Sequence, residues 1–176
     1  MFKFFQIVIV FSMFLALNIP AFAGDNIPSD LEVMYAKNVY LLMTQFDKKE
    51  ALFAQNAENH SIQNNSQMRL VFKDKFNYTK ECYLKLKEQQ PTSKFVSIHQ
   101  SLLSGLYKTL QYIQVVIAEL DKNKNVNDIA KANSKVFQDA NGTYSAAVKE
   151  FVTLVRSWQR PYINKVMPSK TTGESQ

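Results

Sequence analysis

Cysteine, glycine, proline and histidine are all scarce in this chain. Its 176 residues include one cysteine, four glycines, five prolines and two histidines. A single cysteine excludes an intrachain disulfide in any compartment. Cys82 is left as either a half-buried free thiol or one side of an intermolecular bridge. So few glycines and prolines exclude a chain rich in tight turns and favour long regular elements. Strand-like alternation and internal repeats are missing. So are a Glu-x-x-His di-metal pattern, G-x-S-x-G, H-E-x-x-H, C-x-x-C-H and any glycine-rich phosphate loop. Together these absences remove the recognisable routes to catalysis and covalent haem attachment. The expectation is a non-enzymatic protein built of helices, holding no cofactor and no metal.

What is present begins with an export signal. Met1-Phe2-Lys3 is a short positive start, Phe4 to Leu17 is an apolar run, and Ala21-Phe22-Ala23 has the small-residue pattern of a cleavage site. This is the form of a secretory signal peptide over residues 1–23, cut after Ala23, for a protein that is secreted or periplasmic. No second long apolar run follows, so no transmembrane segment is expected after cleavage. Residues 24–168 read as one domain and 169–176 as a disordered tail. The formal charge is +6. Loss of Lys3 leaves twenty basic against fifteen acidic residues, a net +5 that favours an anionic or acidic partner without specifying one.

The domain centres on Phe95 to Leu120. His99, Leu103, Leu106, Leu110, Ile113, Ile117 and Leu120 recur at alternating steps of four and three, which places them along one side of a helix roughly 40 Å long. Three more helices follow from the same periodicity. The first starts at the Ser29–Glu32 capping box, with Leu31, Met34, Tyr35, Leu41, Leu42, Phe46, Leu52 and Phe53 inward. Lys49 falls inside that arc, so the Asp47–Glu50 cluster is expected to bend or end the helix. The second starts near Ser66 and turns Met68, Phe72, Phe76, Thr79, Tyr83 and Leu86 inward. Gln90-Pro91 stops it. Thr92 or Ser93 caps the third helix and Asn127 the fourth. Asn141-Gly142 is expected to kink or break the fourth. Short links join the four, which predicts an all-α fold, an antiparallel up-down-up-down four-helix bundle.

Three sites stand out. Lys131, Lys135, Lys149, Arg156 and Arg160 share a narrow arc opposite the apolar side of the fourth helix. A continuous helix would make them a basic ridge roughly 44 Å long. The plain alternative is an ordinary solvated face. No aromatic residue interleaves with these cations, so specific nucleic-acid binding is not expected. The natural partner is an unknown protein or an anionic surface. Val33, Tyr40 and Met43 form a second apolar row on the first helix. Such a row suits self-association as a homodimer, unless a C-terminal segment covers it. His99 is the one polar group in the buried stripe and is read as a hydrogen-bonded core residue. The competing reading makes it a haem or metal ligand, with Met34 or Met68 beside it, in a carrier or small enzyme. An ATP-independent periplasmic chaperone is a further alternative.

Overall fold

The computed structural model describes residues 26–59 and 65–168, and within them every regular element is a helix. The expected signal segment 1–23 and tail 169–176 lie outside the described residues. Four helices are long: α1 (Asp30–Asn59), α2 (Asn65–Lys87), α3 (Val96–Asp121) and α5 (Ser134–Arg156). Two are short, α4 (Val126–Ala132) and α6 (Arg160–Val166), and a 3-10 turn, Ser93–Phe95, leads into α3. Helix α3 packs on α5 and on α2, α2 packs on α1, and α6 lies against α1. No helix among the described residues is long and apolar enough to cross a membrane.

The packing follows rows with alternating steps of four and three. In α1 the buried row is Glu32, Ala36, Val39, Met43, Phe46, Glu50 and Phe53. Met68, Phe72, Lys75, Thr79 and Leu86 form the buried row of α2, with Cys82 half-buried in the same series. His99, Leu102, Leu106, Thr109, Ile113, Val116 and Leu120 form that of α3. A repeat averaging 3.5 residues keeps one seam facing the neighbouring helices along the whole length. Two apolar clusters result. The larger gathers Tyr35, Phe46, Phe95, Phe151 and Trp158, and the other gathers Phe53, Phe72, Tyr112, Ile113 and Phe137.

Several expectations need correction. The first helix is turned about its axis from the predicted orientation: Tyr35, Phe46 and Phe53 are buried as expected, but the leucines beside them are not. Leu31, Met34, Leu41 and Leu52 are exposed, whereas Met43 is buried and Val33 and Tyr40 pack against the core. The predicted self-association row is therefore turned inward, and α6 is the C-terminal element lying on α1. The Asp47–Glu50 cluster does not end the helix, because Glu50 is buried and Lys49 is turned outward. Helix α5 runs unbroken through Asn141-Gly142. The break lies earlier, at Asn133, whose side-chain amide donates to the Ile129 carbonyl at 2.9 Å and competes with the helical ladder. Asn125, not Asn127, caps α4 by accepting from the Asn127 N–H at 2.9 Å. Thr92 gives no side-chain cap to the turn before α3. The Ser29–Glu32 capping box is formed: the Glu32 carboxylate accepts from the Ser29 N–H at 2.7 Å and from its hydroxyl at 2.9 Å.

The two described helical glycines differ in what surrounds them. A Cβ on Gly105 would stand 2.7 Å from the Tyr144 Cα, so α3 and α5 touch backbone to backbone there. A Cβ on Gly142 would meet nothing within 4 Å. Gly105→Ala should therefore destabilise by about 1–3 kcal/mol through overpacking. Gly142→Ala should stabilise by up to about 1 kcal/mol through helix propensity. Urea titration of the two variants checks both signs, and a neutral Gly105→Ala would contradict the close approach.

Candidate functional site

Tyrosines aside, six polar side chains are buried among the described residues: Glu32, Glu50, Lys75, Thr79, His99 and Thr109. All six stand on the 4-3 rows, so each must be satisfied inside the protein. The threonines turn back on their own helices, Thr79 donating to the Lys75 carbonyl at 2.7 Å and Thr109 to the Gly105 carbonyl at 2.9 Å. Burial raises the Glu32 carboxyl. Its bonds with the Ser29 N–H, with Lys94 at 3.0 Å and with the Ser29 hydroxyl outweigh that, and it titrates below the ordinary range.

The densest cluster joins α1 to α2. Lys75 Nζ donates to Glu50 Oε2 at 2.6 Å, and the Tyr78 hydroxyl donates to Glu50 Oε1 at 2.6 Å. The ammonium also lies 4.2 Å from the centre of the Phe53 ring. Asp47 stands one helical turn before Glu50. Burial first, and then the nearby Glu50 charge, push its carboxyl up to about 7. Burial, with Asp47 and Glu81 adding, pushes the Cys82 thiol up to about 12. That thiol is half-buried and almost wholly protonated at neutral pH, so it is a poor nucleophile. The cluster holds an acid near its titration point beside a fixed ion pair, but the charges are spent on one another.

His99 stands at the other end of the core. Its Nδ1 lies 2.9 Å from the Tyr35 hydroxyl, with both side chains buried. Burial lowers its pKa, favouring neutral imidazole, and burial raises that of Tyr35. Met34 is exposed, and Met68 is buried in the cluster with Phe53 and Phe72, away from the group that holds Tyr35. Among the described residues no three His, Cys, Asp or Glu side chains converge as metal ligands.

The five cations predicted to form one ridge are divided among three helices. Lys131 belongs to α4, Lys135, Lys149 and Arg156 to α5, and Arg160 opens α6. Lys131, Lys135, Lys149 and Arg160 are exposed, and Arg156 is half-buried. Lys135 and Lys149 lie within about 40° of each other around α5. The nearby Asp139 carboxylate is engaged by Lys108 of α3 at 2.8 Å. The uninterrupted ridge is thus replaced by a basic surface stepped across two helix breaks.

Sequence reasoning missed the Glu50–Lys75 pair, although a signal exists. Positions 39, 43, 46, 50 and 53, and 68, 72, 75, 79 and 82, each keep the 4-3 step straight through a charged residue. Charges of opposite sign interrupting two such rows are the pattern of a buried pair.

No known protein family, characterised protein or solved structure matches this chain.

Two predictions follow from the cluster. Lys75→Met alone leaves Glu50 buried without its cation and should cost about 3–5 kcal/mol, whereas Glu50→Leu with Lys75→Met should recover most of that loss. Denaturant titration of the single and double variants measures the coupling. For Asp47 the folded carboxyl, near 7, holds a proton that the unfolded chain releases above about 4. Its contribution is full below that lower value and is lost as pH rises to 7. His99 acts in the opposite sense, opposing folding as pH falls below about 6.5. Asp47→Asn should therefore remove a loss of stability between about pH 4 and pH 7, read as the difference in unfolding free energy between the two proteins at each pH.

Proposed function

We propose that this chain is an exported, non-enzymatic binding protein for an anionic or acidic partner, built as an antiparallel up-down-up-down four-helix bundle. Contacts between opposite helix ends support the topology. Asn38 near the start of α1 meets Gln89 just beyond α2, and Arg69 near the start of α2 pairs with Asp121 at the end of α3. Tyr112, late in α3, packs on Phe137, early in α5, with ring centres 5.2 Å apart.

The observation that carries the binding reading is the outward projection of Lys131, Lys135, Lys149 and Arg160 along the succession α4, α5 and α6. Exposed cations of this kind hold an anionic surface weakly and additively. The cofactor-carrier alternative gains nothing from His99, whose Nδ1 already faces a tyrosine hydroxyl.

Charge reversal tests the reading. Lys135→Glu with Lys149→Glu should weaken binding to phosphatidylglycerol vesicles or heparin about tenfold at low salt, since each exposed contact contributes up to about 1 kcal/mol. The unaltered protein should itself lose that binding as salt rises past the ionic strength where the Debye length is about 8 Å. Both side chains are exposed, so the melting temperature should barely move. Undiminished binding by the reversed variant at low salt would remove the basic surface from the account.

A further inference from the structure

The outward side of α1 is sorted by charge. Between Leu31 and Asn56 its carboxylates, Glu32, Asp47 and Glu50, are buried or half-buried, while Lys37, Lys48 and Lys49 are exposed. Leu31, Met34, Leu41 and Leu52 are exposed on the same helix, at 63, 56, 48 and 51%. Steps of three, seven and eleven residues keep these four within about 80° around the axis, on a stripe about 32 Å long. A long helix that already buries one full row in the core has no folding use for a second apolar stripe.

Beside the stripe, α1 and α2 enclose a groove of about 350 Å³. Leu42, Phe46 and Tyr78 line its apolar part, and Lys48, Lys49 and Lys85 stand around it. The one carboxylate among its lining residues, Glu81, is engaged by Lys85 at 2.6 Å. The surface therefore carries four separate apolar anchors, with the exposed Asn38, Gln45 and Lys49 between them in the same arc, and is concave where α1 meets α2.

We propose that α1 and this groove dock an acidic amphipathic helix of a partner protein. The inference rests on the reading of the chain as a binder of acidic partners and adds, on α1, a second contact apart from the basic surface of α4 to α6. Three features fit that occupant. A stripe at helical spacing offers anchors one, two and three turns apart, as a helix laid alongside would use them. The groove accepts a side chain from the docked helix, whereas a flat lipid surface cannot reach its floor. Lys37, Lys48 and Lys49 would meet carboxylates flanking the partner's apolar face, which sets orientation and speeds encounter.

The test uses the full chain without residues 1–23 and an 18-residue probe peptide carrying leucines on one helical face and glutamates on its flanks. Anisotropy should show saturable binding, at least tenfold tighter than for a scrambled peptide of the same composition. Leu41→Ser with Leu52→Ser should weaken it at least tenfold. Lys48→Glu with Lys49→Glu should weaken it comparably and reduce its salt dependence. All four side chains are exposed, so circular dichroism melts should match the parent and separate lost docking from lost folding. The α5 variant Lys135→Glu with Lys149→Glu should bind the peptide unchanged even where it loses heparin. That difference separates failure of this proposal from failure of the general reading. Equal binding of the scrambled peptide, or full binding by the serine variant, overturns the proposal. A dimer in light scattering that the serine variant converts to monomer assigns the face to a second copy and overturns it too. So does binding to phosphatidylglycerol vesicles, without peptide binding, that the serine variant abolishes.

Discussion

The contact of α3 with α5 at Gly105 sets the geometry of the rest. Without a side chain at that position the α3 backbone comes up against Tyr144, and the two helices become the closest-packed pair. Their approach fixes where Phe95 can meet Phe151, with ring centres 5.8 Å apart, and where Tyr112 can meet Phe137. Helix α1 meets this pair through longer side chains. Phe46 touches Tyr144 with ring centres 5.4 Å apart, and Tyr35 reaches His99. The core is therefore graded, from backbone contact between α3 and α5 to aromatic spacers on the side facing α1.

Polar residues in the buried rows act against this background. An apolar core made of repeating 4-3 rows is compatible with many registers, since each one-heptad slide presents a similar face. Glu50 opposite Lys75 distinguishes among them, because sliding α1 past α2 by one heptad would bury two unpaired charges. Glu32, His99 and Tyr35 mark the other end of α1 in the same way. The pair has a modest claim on stability and a larger one on uniqueness.

Much of the fold was legible because long helices with few glycines leave a strong period in the sequence. The all-α class, the capping box at Ser29, the end of α2 before Pro91 and the extent of α3 all follow from spacing and cap chemistry. The faces of α1 were assigned correctly at Tyr35, Phe46 and Phe53 and wrongly at Leu31, Met34, Leu41 and Leu52, for a physical reason. That helix has apolar residues on both sides, and the side with more leucines is exposed, while the side interrupted by Glu32 and Glu50 is buried. Hydrophobicity alone ranks those faces in the wrong order. The row becomes visible only when the charges are counted as members of it. The break at Asn133 was hidden likewise, because Asn141-Gly142 carries the stronger propensity signal and the mark of the break is local, a side-chain amide that shares the Ile129 carbonyl with its own backbone N–H. Of the candidate surfaces, the cations on α4 to α6 could be named from sequence. The stripe on α1 could not, since it depends on which face the core takes.

The segment ahead of α1 is tied to the far end of the chain. Asn26 pairs with Trp158 in an isolated parallel bridge, and its carbonyl accepts from the Gln159 N–H at 3.0 Å. Trp158 is itself fully buried against Phe95, edge to face at 6.1 Å. With α6 lying on α1, the chain closes on itself like a belt, its first described residues buckled to the joint between α5 and α6. Helix α1 cannot lift away without opening that buckle, so α1, α6 and the leading segment should exchange their amide hydrogens as one cooperative unit. The belt holds the outward stripe of α1 on a stiff support where the helix begins, and a surface held in that way gives up little freedom when something settles on it.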